Sequence, residues 1–279
     1  MKIQETKPKL DESLSKQTVD KPPALNKKKR KELTTALNNR SYGVILQLLA
    51  KRKTYDKLVR LVTEMVKNSL FEKPMDIHLV YLSDNYAMLD LKLTTFAHAH
   101  TDYDNYYVRK YTTNDNSLFN TASLMLVGTE KLCKELRVRS IVEMILYRDY
   151  YERTYNSFSS FGGDYETACL LAATEHEHLS IWLMPALATV IQRPISSVYA
   201  NFNSRPGATD SIYDVANVML LPRAKSGNGD ACGENLYLLW TGIVGKKYVP
   251  NYVSPLIKFV DPSEKVFYEG RKNFVESRN

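Results

Sequence analysis

Long apolar runs are missing from this 279-residue chain, and none approaches the roughly 18 consecutive apolar residues of a membrane-crossing helix. The stretch from Met1 to Asp20 is polar and mixed in charge, without the apolar segment of a secretory signal. Both absences point to an intracellular protein, nuclear or cytoplasmic, with no membrane partner. Cysteine is scarce: Cys133, Cys169 and Cys232 are odd in number and far apart, which suits reduced thiols better than a disulfide framework. Cys232 lies between Asp230 and Glu234, and acidic neighbours oppose a thiolate, so a spectator thiol is expected there. Gly-rich phosphate loops are also absent, since Gly227-Asn228-Gly229 lacks the lysine and the helix such a loop needs. No cofactor is expected.

Histidine is sparse as well. His98-Ala99-His100 and His176-Glu177-His178 would share a face if each pair lay on a strand. Zinc takes three or four ligands, however, and neither pair has cysteines at finger spacing, so these read as ordinary polar or core histidines and no metal is expected.

What the chain does have is charge, unevenly placed. Residues 1–31 carry ten Lys/Arg against four Asp/Glu, a net +6 of the chain's formal +7. This segment lacks apolar periodicity and contains Lys-Pro and Pro-Pro steps, so it reads as a basic disordered tail. Its closing run, Lys27, Lys28, Lys29, Arg30 and Lys31, suits an import signal or a nucleic-acid contact, and equally a solubilising flank.

Residues 32–107 read as a helical extension with one or two strands. Val44, Leu46, Leu48 and Leu49 form an apolar cluster, and Leu58, Leu61, Val62, Met65 and Val66 recur at the spacing of one helix face. Ile77 to Leu82 reads as a strand. The tyrosine-rich stretch from Asp102 to Tyr111 reads as a half-buried strand or a binding surface. The compact core is expected from residue 108 to residue 260, with a polar tail over 261–279. Helices are predicted over 130–152, 165–173 and 182–191, the last tolerating Pro185 in its first turn. Strands are predicted over 195–199, 236–240 and, more weakly, 253–260, with surface loops at 204–211 and 223–235. The interleaving makes the class α/β (α+β).

The junction Asn114-Asp115-Asn116-Ser117-Leu118-Phe119-Asn120 carries the functional argument. A helix start offers unpaired N–H groups and positive dipole to a nucleophile and its oxyanion. The junction resembles the nucleophile motif Asp-Gly-Asn-Cys-Leu-Phe/Tyr of the OTU cysteine peptidases, most of which are deubiquitinases. Three further blocks are similar to that family's in order: Glu135-Leu136-Arg137, the stretch from Trp182 to Tyr199, and Tyr248 to Ile257, which matches the block carrying the catalytic histidine. The resemblance covers residues 108–258 and implies an OTU-like cysteine-peptidase fold preceded by a helical N-terminal region. In that alignment Ser117 stands at the nucleophile, Asn114 at the leading aspartate and Tyr252 at the histidine. The pattern Ser-Leu-Phe-Asn-x-x-Ser-Leu over 117–124 is similar to the vertnin-like subgroup, which implies nuclear residence and transcriptional regulation.

Serine without an adjacent base stays protonated, and a phenol with a pKa near 10 is no substitute for imidazole. No residue is expected to be catalytically active, and Ser117 is expected as a helix N-cap. The chain is thus expected to be a pseudoenzyme whose cleft binds a protein, ubiquitin or a ubiquitin-like protein among the candidates, through Asp115, Asn116, Trp182 and Asn251. A nucleic-acid-associated regulator acting through the basic tail is the first alternative, and a residual hydrolase using Ser117 with an unidentified base is the second.

Overall fold

The computed structural model describes residues 27–67, 71, 75, 89–112, 116–174, 180–200, 211–223, 234–244 and 247–258. The predicted strand at Ile77 to Leu82 and most of the two predicted loops lie outside them. So do Asn114, Asp115, His78, His176, His178 and Cys232, residues 1–26, and the polar tail.

Three helices open the described chain: α1 (Lys27–Asn38), α2 (Tyr42–Ala50) and α3 (Tyr55–Met65). Then come α4 (Leu91–His100), β1 (Tyr106–Val108), α5 (Ser117–Val127), α6 (Cys133–Leu146), α7 (Arg148–Thr154), α8 (Ser159–Gly162), α9 (Tyr165–Ala173) and α10 (Leu183–Ile191). The chain closes with β2 (Ile195–Val198), α11 (Ser211–Ala216), β3 (Val218–Leu220), β4 (Leu236–Val244) and β5 (Lys247–Lys258). The mixed α/β class is thus as the sequence predicts.

The strands form one sheet in the order β1-β5-β4-β2-β3, with β2 and β4 parallel and the other neighbours antiparallel. Alternation along the strands sends successive side chains to opposite faces. Leu238, Trp240 and Val253 join the main core with α5, α6, α9 and α10. Leu239 and Leu256 face a smaller cluster with Val108, Val198 and Ala97 of α4.

Four boundaries differ from the sequence reading. Lys27 to Lys31 open helix α1 instead of ending a tail, because Leu33, Ala36 and Leu37 behind them give the segment an apolar face to bury. The compact core begins at Leu33, not near residue 108: Leu46, Leu49, Leu58, Val62 and Met65 belong to the same cluster as Phe119, Ile141 and Leu187. The helix predicted over 130–152 is a 3₁₀ turn at Glu130–Leu132 followed by α6 and α7, broken at Tyr147. At that break Glu143 accepts hydrogen bonds from Tyr151 Oη (2.9 Å) and Arg223 Nε (2.8 Å), and the Arg223 guanidinium covers the Tyr147 ring. The final strand starts at Lys247 rather than Val253, extended by pairing with β4. Helices α9 and α10 fall where predicted, with Pro185 in the first turn of α10, where no N–H is owed. The tyrosine segment holds a short strand, β1, with Tyr106 and Tyr107 half-buried.

Candidate functional site

The site is built where the start of α5 meets β5. Strand β1 pairs with β5 only from Leu256 to Lys258, so Val253 lies beyond its end and would leave main-chain groups exposed on the sheet edge. Helix α5 supplies the partners. Ser117 Oγ accepts from the Val253 N–H at 3.2 Å, and Thr121 Oγ1 donates to the Val253 carbonyl at 2.8 Å. The two hydroxyls are four residues apart and so share one helix face. Ser117 is 3% exposed and Thr121 fully buried. The expected N-cap role of Ser117 is therefore corrected. Asn116 is the N-cap residue, and Ser117 is the first residue of the helix, its hydroxyl used across elements. A hydroxyl shut from solvent and accepting from a main-chain N–H is not presented to a substrate.

Asn116 is tied elsewhere. Its Oδ1 accepts from Arg137 Nη1, while Arg137 Nε donates to the Ala172 carbonyl (2.7 Å) and Nη2 to the Thr174 carbonyl (2.6 Å). Arg137 is 1% exposed. Its charge lies at the C-terminus of α9, where unpaired carbonyls and the dipole favour a cation. The Glu135-Leu136-Arg137 block thus locks the residue before Ser117 to the end of α9. Glu135 itself accepts from Tyr42 Oη of α2 at 2.7 Å.

Tyr252 pairs with Thr241 of β4 and is half-buried. By alternation it shares the face of Ser254 and Leu256, the α4 side of the sheet, whereas Val253 faces α5. That face carries hydroxyls: Thr241 and Ser254 lie 3.0 Å apart, and Ser254 Oγ donates to Tyr111 Oη at 3.3 Å. Burial raises the Tyr111 pKa, against the lowering effect of the hydrogen bonds to Ser254 and Thr241. Ser117 and Tyr252 are brought to adjacent residues of β5 but from opposite faces. Asn251 belongs to β5.

Trp182 is not a binding surface. It is 2% exposed, donates through Nε1 to the Gly163 carbonyl (3.0 Å) and packs edge-on against Phe158 and Tyr165. His98 and His100 fall on helix α4, not a strand, and positions two apart on a helix do not share a face. His98 Nε2 contacts the Tyr106 carbonyl at 2.6 Å. Among the described residues no three His, Cys, Asp or Glu side chains are grouped to hold a metal ion. Burial pushes the Cys133 and Cys169 thiols up, away from thiolate character.

Lys27, Lys28, Lys29, Arg30 and Lys31 are all exposed on α1. Arg30 reaches Glu64 of α3 at 3.6 Å, and Lys28 and Lys31 line a shallow groove of about 380 Å³ with Thr35, Asn39 and Ser41.

The residues that sequence reasoning missed are Thr121 and Arg137. Arg137 sat in a recognised block without a role, and its signal was a cation amid the apolar positions Leu136, Val138 and Ile141 of one helix.

Residues 109–169 match the family model of the vertnin OTU domain, a span that runs from just after β1 into α9. Vertnin of Danio rerio is 26% identical over 176 residues, covering 52% of this chain and 24% of that protein. Vertnin of Bos taurus is 27% identical over 170 residues, 50% of this chain and 24% of the relative. The matched stretch thus spans about a quarter of the length of these relatives. The solved OTU domain of OTUD1 aligns with a TM-score of 0.40 at 14% identity, covering 62% of this chain and 97% of the domain. Over residues 109–169 the chain is thus similar to the vertnin OTU domain.

Proposed function

We propose that this OTU-like, vertnin-like chain is a pseudoenzyme that uses its inherited framework to bind a protein. The observation that carries the reading is Ser117. At the position aligned with the nucleophile, a buried hydroxyl accepts the Val253 N–H and holds α5 to β5. Tyr252, aligned with the base, supplies a phenol on the other face of the sheet. The ligand class is ubiquitin or a ubiquitin-like protein, met by Asp115, by Asn116 before α5 and by Asn251 of β5. The test is a gel assay of the full chain on a panel of ubiquitin chains, with Ser117→Ala as control, alongside a calorimetric titration with mono- and diubiquitin. No cleavage and saturable binding are expected. Cleavage abolished by Ser117→Ala would instead establish a residual hydrolase with a base elsewhere. No heat with any ubiquitin form would remove ubiquitin as the ligand.

The exposed cationic run Lys27 to Lys31 supports a second reading, a nucleic-acid-associated regulator resident in the nucleus. Alanine at all five positions should then release a fluorescent fusion from the nucleus and weaken DNA binding. An unchanged distribution with unchanged DNA affinity would end that reading.

A further inference from the structure

We infer that the nucleic-acid contact of this chain is a folded surface spanning α1 and α3, with Lys57, Arg60 and Lys67 bearing on the phosphate backbone beside Lys27 to Lys31. This rests on the second reading above and is independent of the cleft.

Residues 27–67 hold twelve Lys/Arg against three Asp/Glu, a net +9 that exceeds the +7 of the whole chain. The basicity therefore belongs to the three-helix layer, and everything else together is slightly acidic. Within α3 the apolar face Leu58, Leu61, Val62 and Met65 is buried. The opposite side carries Lys57, Arg60 and Glu64 at three- and four-residue spacing, with Lys67 three residues further on. Glu64 is held by Lys67 (2.7 Å) and Arg30 (3.6 Å), and exposed Asp56 in the first turn is the other carboxylate of α3, outnumbered by the three cations. The Arg30 contact sets the opening of α1 against the last turn of α3, so the two cationic groups form one surface.

The placement on α1 opposes helix stability. Its first five residues are all cationic, with no acid in the first turn, at the end where the dipole favours anions. A polyanion laid across that end relieves the repulsion. The ligand is a phosphate chain and not a lipid surface, because a membrane-lying helix needs an exposed apolar face. Here Ile45, Leu46, Leu48 and Leu49 of α2 and Leu58, Leu61, Val62 and Met65 of α3 are turned into the core, and the single exposed Val44 of α2 is too small to make such a face.

The test uses the full chain, a fluorescein-labelled duplex, a single strand of the same sequence, and phosphatidylserine vesicles. Anisotropy is followed as a function of salt for wild type, for the α3 triple variant Lys57→Gln/Arg60→Gln/Lys67→Gln, and for the α1 variant with glutamine at residues 27–31. Each phosphate contact contributes about 0.9 to the slope of log affinity against log salt, so the α3 triple should flatten the slope by about 2 to 3 and lose at least about tenfold in affinity. Circular dichroism of the triple should match wild type, since these side chains lie off the core. Tighter binding of duplex or of single strand identifies which nucleic acid the face takes. An α3 triple that binds like wild type while the α1 variant fails overturns the folded surface and leaves the second reading standing. Failure of wild type to bind either nucleic acid removes both. Vesicle binding as tight as nucleic-acid binding, and lost in the same variants, overturns the assignment of a phosphate chain.

Discussion

Replacing Ser117 by alanine leaves the Val253 N–H buried without its acceptor, a loss worth about 1–3 kcal/mol. The expected result is a clear drop in the urea midpoint of Ser117→Ala. An exposed, idle hydroxyl would instead leave the midpoint where it was. Arg137 acts at the same scale with a larger effect. Its guanidinium serves Asn116 and the carbonyls of Ala172 and Thr174 at once. A lysine cannot present that planar fork. Arg137→Lys should therefore cost about 3 kcal/mol, read by denaturant unfolding, and a variant as stable as wild type would contradict this account.

Among the elements, α2, α3, α6, α7 and α9 meet through tyrosines. Burial raises the pKa of Tyr42 from 10.0 to about 12, with the hydrogen bond to Glu135 adding to it, and burial raises Tyr155 to about 12. Burial also pushes up Tyr55, Tyr151 and Tyr165. These groups hold their protons more firmly folded than unfolded. Their contribution is therefore complete below pH 10 and is lost as pH climbs from 10 towards 12 and beyond. Thermal midpoints measured on both sides of pH 10 should fall steeply on the alkaline side, and Tyr42→Phe should lessen the fall. A flat profile across that interval would show that the tyrosines titrate freely.

For the whole molecule, the shared core makes α1 to α3 part of one folding unit with the helices behind the sheet. A fragment of residues 108–260 exposes the surfaces of α6 and α9 that α2 and α3 cover. It should show weakened near-ultraviolet circular dichroism and no sharp thermal transition, while the full chain unfolds in one step. A fragment melting cooperatively near the full chain's midpoint would restore a separate domain boundary at residue 108.

Periodicity was enough for α3, α9 and α10, since each buries a face whose spacing is written locally: Leu58, Leu61, Val62 and Met65 in the first. The strand at 236 was visible for the same reason, whereas the resemblance of the junction at Ser117 to the OTU nucleophile motif rests on residue identities and not on periodicity. Local pattern does not say which distant group a polar side chain will meet. Nothing near Ser117 in sequence marks Val253, 136 residues away, as its partner, and nothing near Arg137 marks the end of α9. Trp182 reads from sequence as a residue of the binding cleft, but its indole donates to the Gly163 carbonyl inside the core. Helix α1 was hidden because its cationic opening resembles a tail, and only the burial of Leu33, Ala36 and Leu37 against the rest of the protein repays the cost of ordering it. Sequence alone determined the charge, the class and the framework blocks. Tertiary structure decided where each hydroxyl and each cation is used, because those partners are chosen by proximity across elements and not along the chain.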